Sequence, residues 1–280
     1  MIPQSARALI RQALKEDLGR RGDVSSLALF GRSDLGAFEL WSKDTGILCG
    51  MELFTAVFRA VDRRVRVDAR LKDGSRLSPG MLIARLEGPT RSILAGERTA
   101  LNFLGLLSGV ATKASVFAAA AGAGGPAILD TRKTIPGMRE LQKYAVRTGG
   151  GRNHRMGLFD MIMLKDNHID AAGGIRQAMD RARARWGSRF RIEVETRSLD
   201  EVRQALECGA DRIMLDNMDD AAMREAVRLV AGRAETEASG NMTLERLKAL
   251  ADSGLDFISF GELTHTVRAF DFSLRKGRDA

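Results

Sequence analysis

A set of basic residues stands in glycine-rich or turn-like sequence, where a solvated helix face does not account for them. Arg132 and Lys133 lie in DTRKT, His154 and Arg155 in GGGRNHRMG, and Lys165 in KDNH. Cations brought to one place repel each other and tolerate burial only opposite comparable negative charge, so the ligand implied carries several carboxylates or phosphates. Two acids, Glu195 and Asp216, close the apolar runs RIEV and RIML. Successive strand-end carboxylates can share one divalent cation, and hard oxygen donors without histidine or cysteine nearby suit Mg²⁺ and not zinc. Pairing of these acids with the basic residues is the other reading, and it is compatible with metal binding in the loaded protein. Two small-residue turns, Ser239-Gly240-Asn241 and Ser259-Phe260-Gly261, leave backbone N–H groups open to a phosphate. His168 is either a site residue or the cap of the helix that follows it.

These residues sit where a parallel α/β fold would place a site. After residue 125, apolar runs (PAILD, MIMLK, RIEVE, RIMLD, ETEAS, FISFG) alternate with helical patterns such as LDEVRQALECG and AAMREAVRLVAG. That rhythm implies parallel strands with crossover helices covering both sheet faces. The fold class expected is α/β: an open or incomplete TIM-like α/β barrel, favoured over a doubly wound sheet. A seventh strand could be hidden among the six runs, and the dinucleotide-binding glycine pattern is absent. Each run ends in a charged or small polar residue, the end at which such folds bind ligands.

The first part of the chain has another character. Apolar positions Ala6, Leu9, Ile10, Ala13 and Leu14, closed by Gly19, predict a helix over 4–18. Residues 36–88 carry short β-type runs (AFELWS, GILCGM, RVRVDARL, MLIARLEG) with turn signals between them, which predict an open antiparallel sheet with a helix near 51–62. The Ala/Leu-rich stretch 92–122 predicts two packed helices leading into the barrel.

The net charge is +8 and aromatic residues are 5% of the chain. Most Arg and Lys alternate with Asp and Glu along helical stretches, so the sequence lacks the basic stripe with stacking aromatics of a nucleic-acid binder. No run approaches the ~18 consecutive apolar residues of a membrane span, and a cytoplasmic protein is expected. Cys49 and Cys208 lie far apart in apolar surroundings and read as buried free thiols.

The stretches ERTALNFLGLLSGVAT, ILDTRKTIPGMRELQKYAVRTGGGRNHRMGLFDMIMLKDNHI, VETRSLDEVRQALECGADRIMLDNM, EASGNM and DFISFGELTH resemble the quinolinate phosphoribosyltransferase family in order. The resemblance spans nearly the whole chain. It implies an N-terminal α/β sandwich domain over 1–108, to which 266–280 returns, and a barrel domain over 109–265. It also implies transfer of the phosphoribosyl group of phosphoribosyl pyrophosphate to quinolinate with decarboxylation, with Mg²⁺ as cofactor. The assembly implied is a homodimer with shared active sites, or a higher oligomer, without nucleic acid or membrane partners.

Carried over position by position, Arg132, Arg155 and Lys165, with Arg98 of the neighbouring chain, would hold the quinolinate carboxylates. Thr131 accompanies Arg132. Lys133 and His154 would lie toward pyrophosphate, Glu195 and Asp216 at ribose and metal, and Ser239, Gly240, Asn241, Ser259 and Gly261 at the 5-phosphate. Lys133, Lys165, Glu195 and Asp216 would be the catalytic set. Phe260 and Glu262 depart from the family pattern, which has smaller residues there. A molybdenum-associated homologue with another substrate, and a non-catalytic basic binding protein, are the rival readings.

Overall fold

In the computed structural model, which describes residues 3–277, the chain opens with α1 (Gln4–Leu18), α2 (Val24–Leu29), β1 (Leu35–Ser42), β2 (Gly46–Ile47), α3 (Met51–Val61), β3 (Arg66–Ala69), β4 (Arg76–Leu77), β5 (Leu82–Pro89) and α4 (Thr90–Ala121). It continues with β6 (Ala127–Leu129), α5 (Arg139–Thr148), β7 (Ile162–Leu164), α6 (Asp166–Ala172), α7 (Ile175–Trp186), β8 (Ile192–Thr196), α8 (Leu199–Glu207), β9 (Arg212–Asp216), α9 (Asp220–Val230), β10 (Glu235–Ser239), α10 (Leu244–Leu250), β11 (Phe257–Ser259), α11 (Glu262–His265) and β12 (Phe272–Lys276). Two compact units result. One takes in the chain up to Ser115, Ile135–Gly150 and the segment from Thr266 onward; the other takes in Val116–Thr134 and Gly151–His265.

The first unit is built on an antiparallel sheet of order β12-β1-β5-β3. On β1 every second residue from Phe38 to Ser42 is buried, the period-two pattern of a strand with one face on a core. Helix α3 supplies that core with Leu53, Phe54, Val57 and Phe58, and the two phenylalanine rings meet edge to face at 5.0 Å. Helix α1 buries Ala6, Ile10 and Leu14, one residue per turn, and ends at Gly19, whose positive φ of 53° glycine adopts without a Cβ clash.

Two expectations fail here. The run GILCGM gives only the two-residue β2, paired with β4, because the amides of Ile47 and Cys49 go to the hydroxyls of Thr112 and Ser108 on α4 instead of to a strand. The stretch expected to form two helices is the single helix α4. Gly105 and Gly109 lie inside it where the returning chain crosses. A Cβ at 105 would stand 2.8 Å from the Phe270 carbonyl, and one at 109 would stand 2.2 Å from the Arg268 carbonyl. Helix α4 is long and apolar enough to cross a membrane by composition, yet half of its apolar window is buried inside the fold. Both cysteines are free. Cys49 is buried, with its thiol pushed up to about 12 chiefly by that burial, whereas Cys208 is only half-buried.

The second unit is a parallel sheet of order β6-β11-β10-β9-β8-β7, an open barrel whose outer strands β6 and β7 are not joined to each other. All five residues of β8 are buried, as a strand covered on both faces requires. The hidden seventh strand is reduced to one parallel bridge between Leu129 and Arg152, made by the Arg152 amide to Ile128 O (2.7 Å) and the Asp130 amide to Arg152 O (3.2 Å).

Candidate active site

The carboxyl ends of the barrel strands enclose a cavity of about 970 Å³. Thr131, Arg132 and Lys133 reach it from the end of β6, His154 and Arg155 from the loop after the Arg152 bridge, and Lys165 from the end of β7. Glu195 closes β8 and Asp216 closes β9. Ser239, Gly240 and Asn241 follow from β10, and Ser259 and Gly261 from β11. Every site residue expected within the barrel therefore lines one cavity. Arg98 does not line it; it stands on α4 in the other unit with its side chain exposed.

Local hydrogen bonds aim the cations. Asp130, fully buried, accepts the His154 amide at 3.0 Å and the Asn153 side-chain amide, which ties the loop to the end of β6. Arg155 is 9% exposed, and its guanidinium donates to Met161 O at 3.3 Å. Burial first, then the neighbouring charge of Arg132, lower its pKa, so the two guanidiniums crowd one region. Lys165 Nζ stands 3.2 Å from Glu195 Oε2. The Lys133 amide donates to Thr131 Oγ1 at 3.1 Å, and its carbonyl accepts from Thr264 Oγ1 at 2.8 Å. His168 turns out to be a cap: its Nδ1 accepts the Lys165 amide at 3.1 Å at the start of α6.

Asp216 is oriented by a neighbour that its sequence position alone did not single out. Asn217 donates from Nδ2 to Asp216 Oδ2 (2.8 Å) and accepts on Oδ1 from Asn241 Nδ2 (3.0 Å). Asn217 and Asn241 both have positive φ, 56° and 47°. Gly240 must be glycine on two counts: its φ is 82°, and a Cβ would fall 2.3 Å from Asn217 Oδ1. At Gly261 a Cβ would come 2.9 Å from Lys133 Cδ and 3.1 Å from the His265 ring. Phe260 fits the turn after β11, since it is 1% exposed and its ring packs edge to face on Phe117 at 4.7 Å.

Against the cavity, which His154 and Glu237 help to line, lies a group of buried charges that strand-end reasoning did not single out. Glu193 on β8 and Glu237 on β10 are fully buried, and His154 Nε2 stands 3.0 Å from one carboxylate and 3.3 Å from the other. Arg212 on β9 donates to Glu237 at 3.1 Å and to Glu235 at 2.9 Å. Burial alone would push the His154 imidazole down, but hydrogen bonding to both glutamates and their charges raise it to about 9. Burial and the charge of Glu237 push the Glu193 carboxyl up to about 7, while Glu237 itself is held low because His154 and Arg212 outweigh its burial. The resemblance assigned His154 to pyrophosphate, yet its Nε2 is directed at these carboxylates. The signal was present in sequence: RIEVE and ETEAS carry glutamates two apart, which share one face of a strand, so Glu193 must lie on the same face as the strand-end Glu195, one pleat further from the end.

Residues 23–108 match the family described as quinolinate phosphoribosyl transferase, N-terminal domain, and residues 110–275 match its C-terminal domain. The chloroplastic, carboxylating nicotinate-nucleotide pyrophosphorylase of Oryza sativa is 44% identical over 288 residues, covering 96% of this chain and 77% of that protein. A probable carboxylating nicotinate-nucleotide pyrophosphorylase of Bacillus subtilis is 42% identical over 268 residues, covering 96% of this chain and 92% of that one. Among solved structures, NadC from Streptococcus pyogenes superposes with a TM-score of 0.95 at 39% identity, covering 98% of this chain and 97% of that one. With both domains matched in order and the barrel-end cavity formed by the expected residues, the chain belongs to the quinolinate phosphoribosyl transferase family.

Proposed function

We propose that this chain transfers the phosphoribosyl group of phosphoribosyl pyrophosphate to quinolinate with decarboxylation, giving nicotinate mononucleotide, pyrophosphate and CO₂ for NAD biosynthesis. The observation that carries the reading is the convergence of Arg132, Lys133, Arg155 and Lys165, from three separate segments, on one cavity. A dianionic pyridine and a polyphosphate donor match that charge.

Arg155 and Arg132 bind the quinolinate carboxylates and orient the ring nitrogen toward the anomeric carbon, with Lys165 completing the set. The nitrogen forms its bond to that carbon as pyrophosphate leaves, and Lys133 offsets the charge on the leaving group. The quaternised ring then accepts the electron pair of the breaking C–C bond as CO₂ departs, and the ring carbon takes up a proton. Glu195 and Asp216 supply hard oxygen donors at the cavity, a pair suited to Mg²⁺ that is also held by substrate phosphate oxygens. Bound there, Mg²⁺ would neutralise pyrophosphate charge. The exposed Arg98 suits a homodimer in which it enters the partner's cavity.

Incubation with quinolinate, phosphoribosyl pyrophosphate and Mg²⁺ tests the reading. Stoichiometric nicotinate mononucleotide and CO₂ are expected, and folded protein that forms neither would overturn it.

A further inference from the structure

Two turns of the cavity are tied to each other by side chains in a way that turn formation alone does not require. Asp216 at the end of β9 lies in register with Ser239 at the end of β10, and the Asn217 amide donates to Ser239 O at 3.0 Å. Beyond that last rung the side chains take over. An ionised Asp216 carboxylate can only accept, so Asn217 must turn Nδ2 toward it (2.8 Å), which leaves Oδ1 to accept Asn241 Nδ2 (3.0 Å). A flip of either amide would break the link. Further out, Arg246 of α10 donates to Met218 O at 2.9 Å and to Asp220 Oδ1 at 2.6 Å. The segment after β9 and the turn after β10 are thereby held in one register.

The backbone is strained where the two side chains meet. Asn217 and Asn241 have φ of 56° and 47°, and they are two of the three non-glycine residues with positive φ among the described residues. Glycine adopts that conformation more easily, so asparagine at both places, joined side chain to side chain, points to a use for the side chains. That use is not stability: both residues line the cavity and are exposed, so water competes for their bond and its contribution to folding is small.

We propose that Asn217 is a positioning residue for the phosphoribosyl donor: through Asn241 it fixes the turn at Gly240 relative to Asp216, so that the 5-phosphate and the ribose end of one donor molecule are met together. Gly240 makes this possible, because a side chain there would occupy the place of the Asn217 amide. Neither asparagine needs to touch a reacting atom. The role rests on phosphoribosyl pyrophosphate being the donor, but not on quinolinate being the acceptor.

Glycine is the substitution that removes each side chain and keeps the positive φ, whereas alanine would add strain. Asn217→Gly, Asn241→Gly and the double variant should keep the wild-type circular dichroism and thermal midpoint. The full-length protein is titrated calorimetrically with phosphoribosyl pyrophosphate and Mg²⁺, with and without phthalate, a dicarboxylate that can fill the acceptor position and has no ring nitrogen to react. Donor binding should weaken roughly tenfold in Asn217→Gly. In turnover the phosphoribosyl pyrophosphate KM should rise by a similar factor while the quinolinate KM stays at the wild-type value. Because Asn241 acts through Asn217, the double variant should be no worse than Asn217→Gly alone. Losses that multiply would overturn the link, as would an Asn217→Gly protein with wild-type donor affinity, or one whose quinolinate KM rises as much as its donor KM. If the wild-type protein bound the donor but turned over no quinolinate, the proposed reaction would fall while the titration still decided the role of Asn217.

Discussion

Lys165 and Glu195 meet across the cavity with Nζ 3.2 Å from Oε2, an ammonium that is 45% exposed against a carboxylate that is almost fully buried. Solvent screening on the lysine side limits what such a pair contributes to folding to less than about 1 kcal/mol. Lys165→Ala should therefore move the denaturant midpoint little while abolishing formation of nicotinate mononucleotide. An unfolded variant in circular dichroism, or one that keeps turnover, would contradict this separation of stability from function.

Arg155→Lys is expected to be a damaging exchange. The guanidinium is 9% exposed and already anchored to Met161 O, and its planar fork matches a carboxylate that a single ammonium cannot grip at two points. Quinolinate binding measured by calorimetry should weaken by at least ~1.4 kcal/mol, or tenfold. An unaltered titration would remove Arg155 from the carboxylate site.

Arg98 is exposed on α4, and Glu97 beside it is itself raised by burial, with only partial relief from the Arg98 charge. If Arg98 serves the partner's cavity, Arg98→Ala and Lys165→Ala proteins should each be inactive alone. Mixed and reassociated, they should recover about one quarter of wild-type activity, because half of randomly formed dimers are mixed and each of these keeps one intact site. Exchange of subunits without recovery would confine Arg98 to its own chain.

The buried trio gives a pH dependence with a definite sign. His154 is raised from 6.5 to about 9 and Glu193 from 4.5 to about 7. Both folded values lie above the unfolded ones, so the folded state binds protons more tightly. The associated stability is present at low pH and is lost as pH rises, through about 7 for Glu193 and about 9 for His154. Thermal unfolding followed between about pH 6.5 and 9 should show this decline, and His154→Gln should flatten it.

The strand-end reading found most of the rim because those residues are announced locally, by a polar residue closing an apolar run, and the glycine-rich GGGRNHRMG announced His154 and Arg155. It passed over Glu193 and Glu237, whose partners come from distant segments: nothing near RIEVE names His154, and nothing near ETEAS names Arg212. Asn217 was overlooked for a similar reason, since its importance lies in a hydrogen bond to Asn241 one strand away. The single helix α4 was read as two, because the close approach of the Arg268 and Phe270 carbonyls to Gly109 and Gly105 along one continuous helix cannot be seen in the local sequence. In each case the local pattern was legible and the long-range contact was not.

Strand β12 occupies the outer position of the first unit's sheet, with Phe272 opposite Ser42 and Lys276 opposite Phe38. A chain cut before Phe272 would keep every cavity residue, yet it would turn β1 into an edge with a row of unmet amides and carbonyls beside a hydrophobic face. Such an edge recruits strands from other molecules. Self-association into insoluble material, not loss of a catalytic group, is the hazard that the last strand guards against.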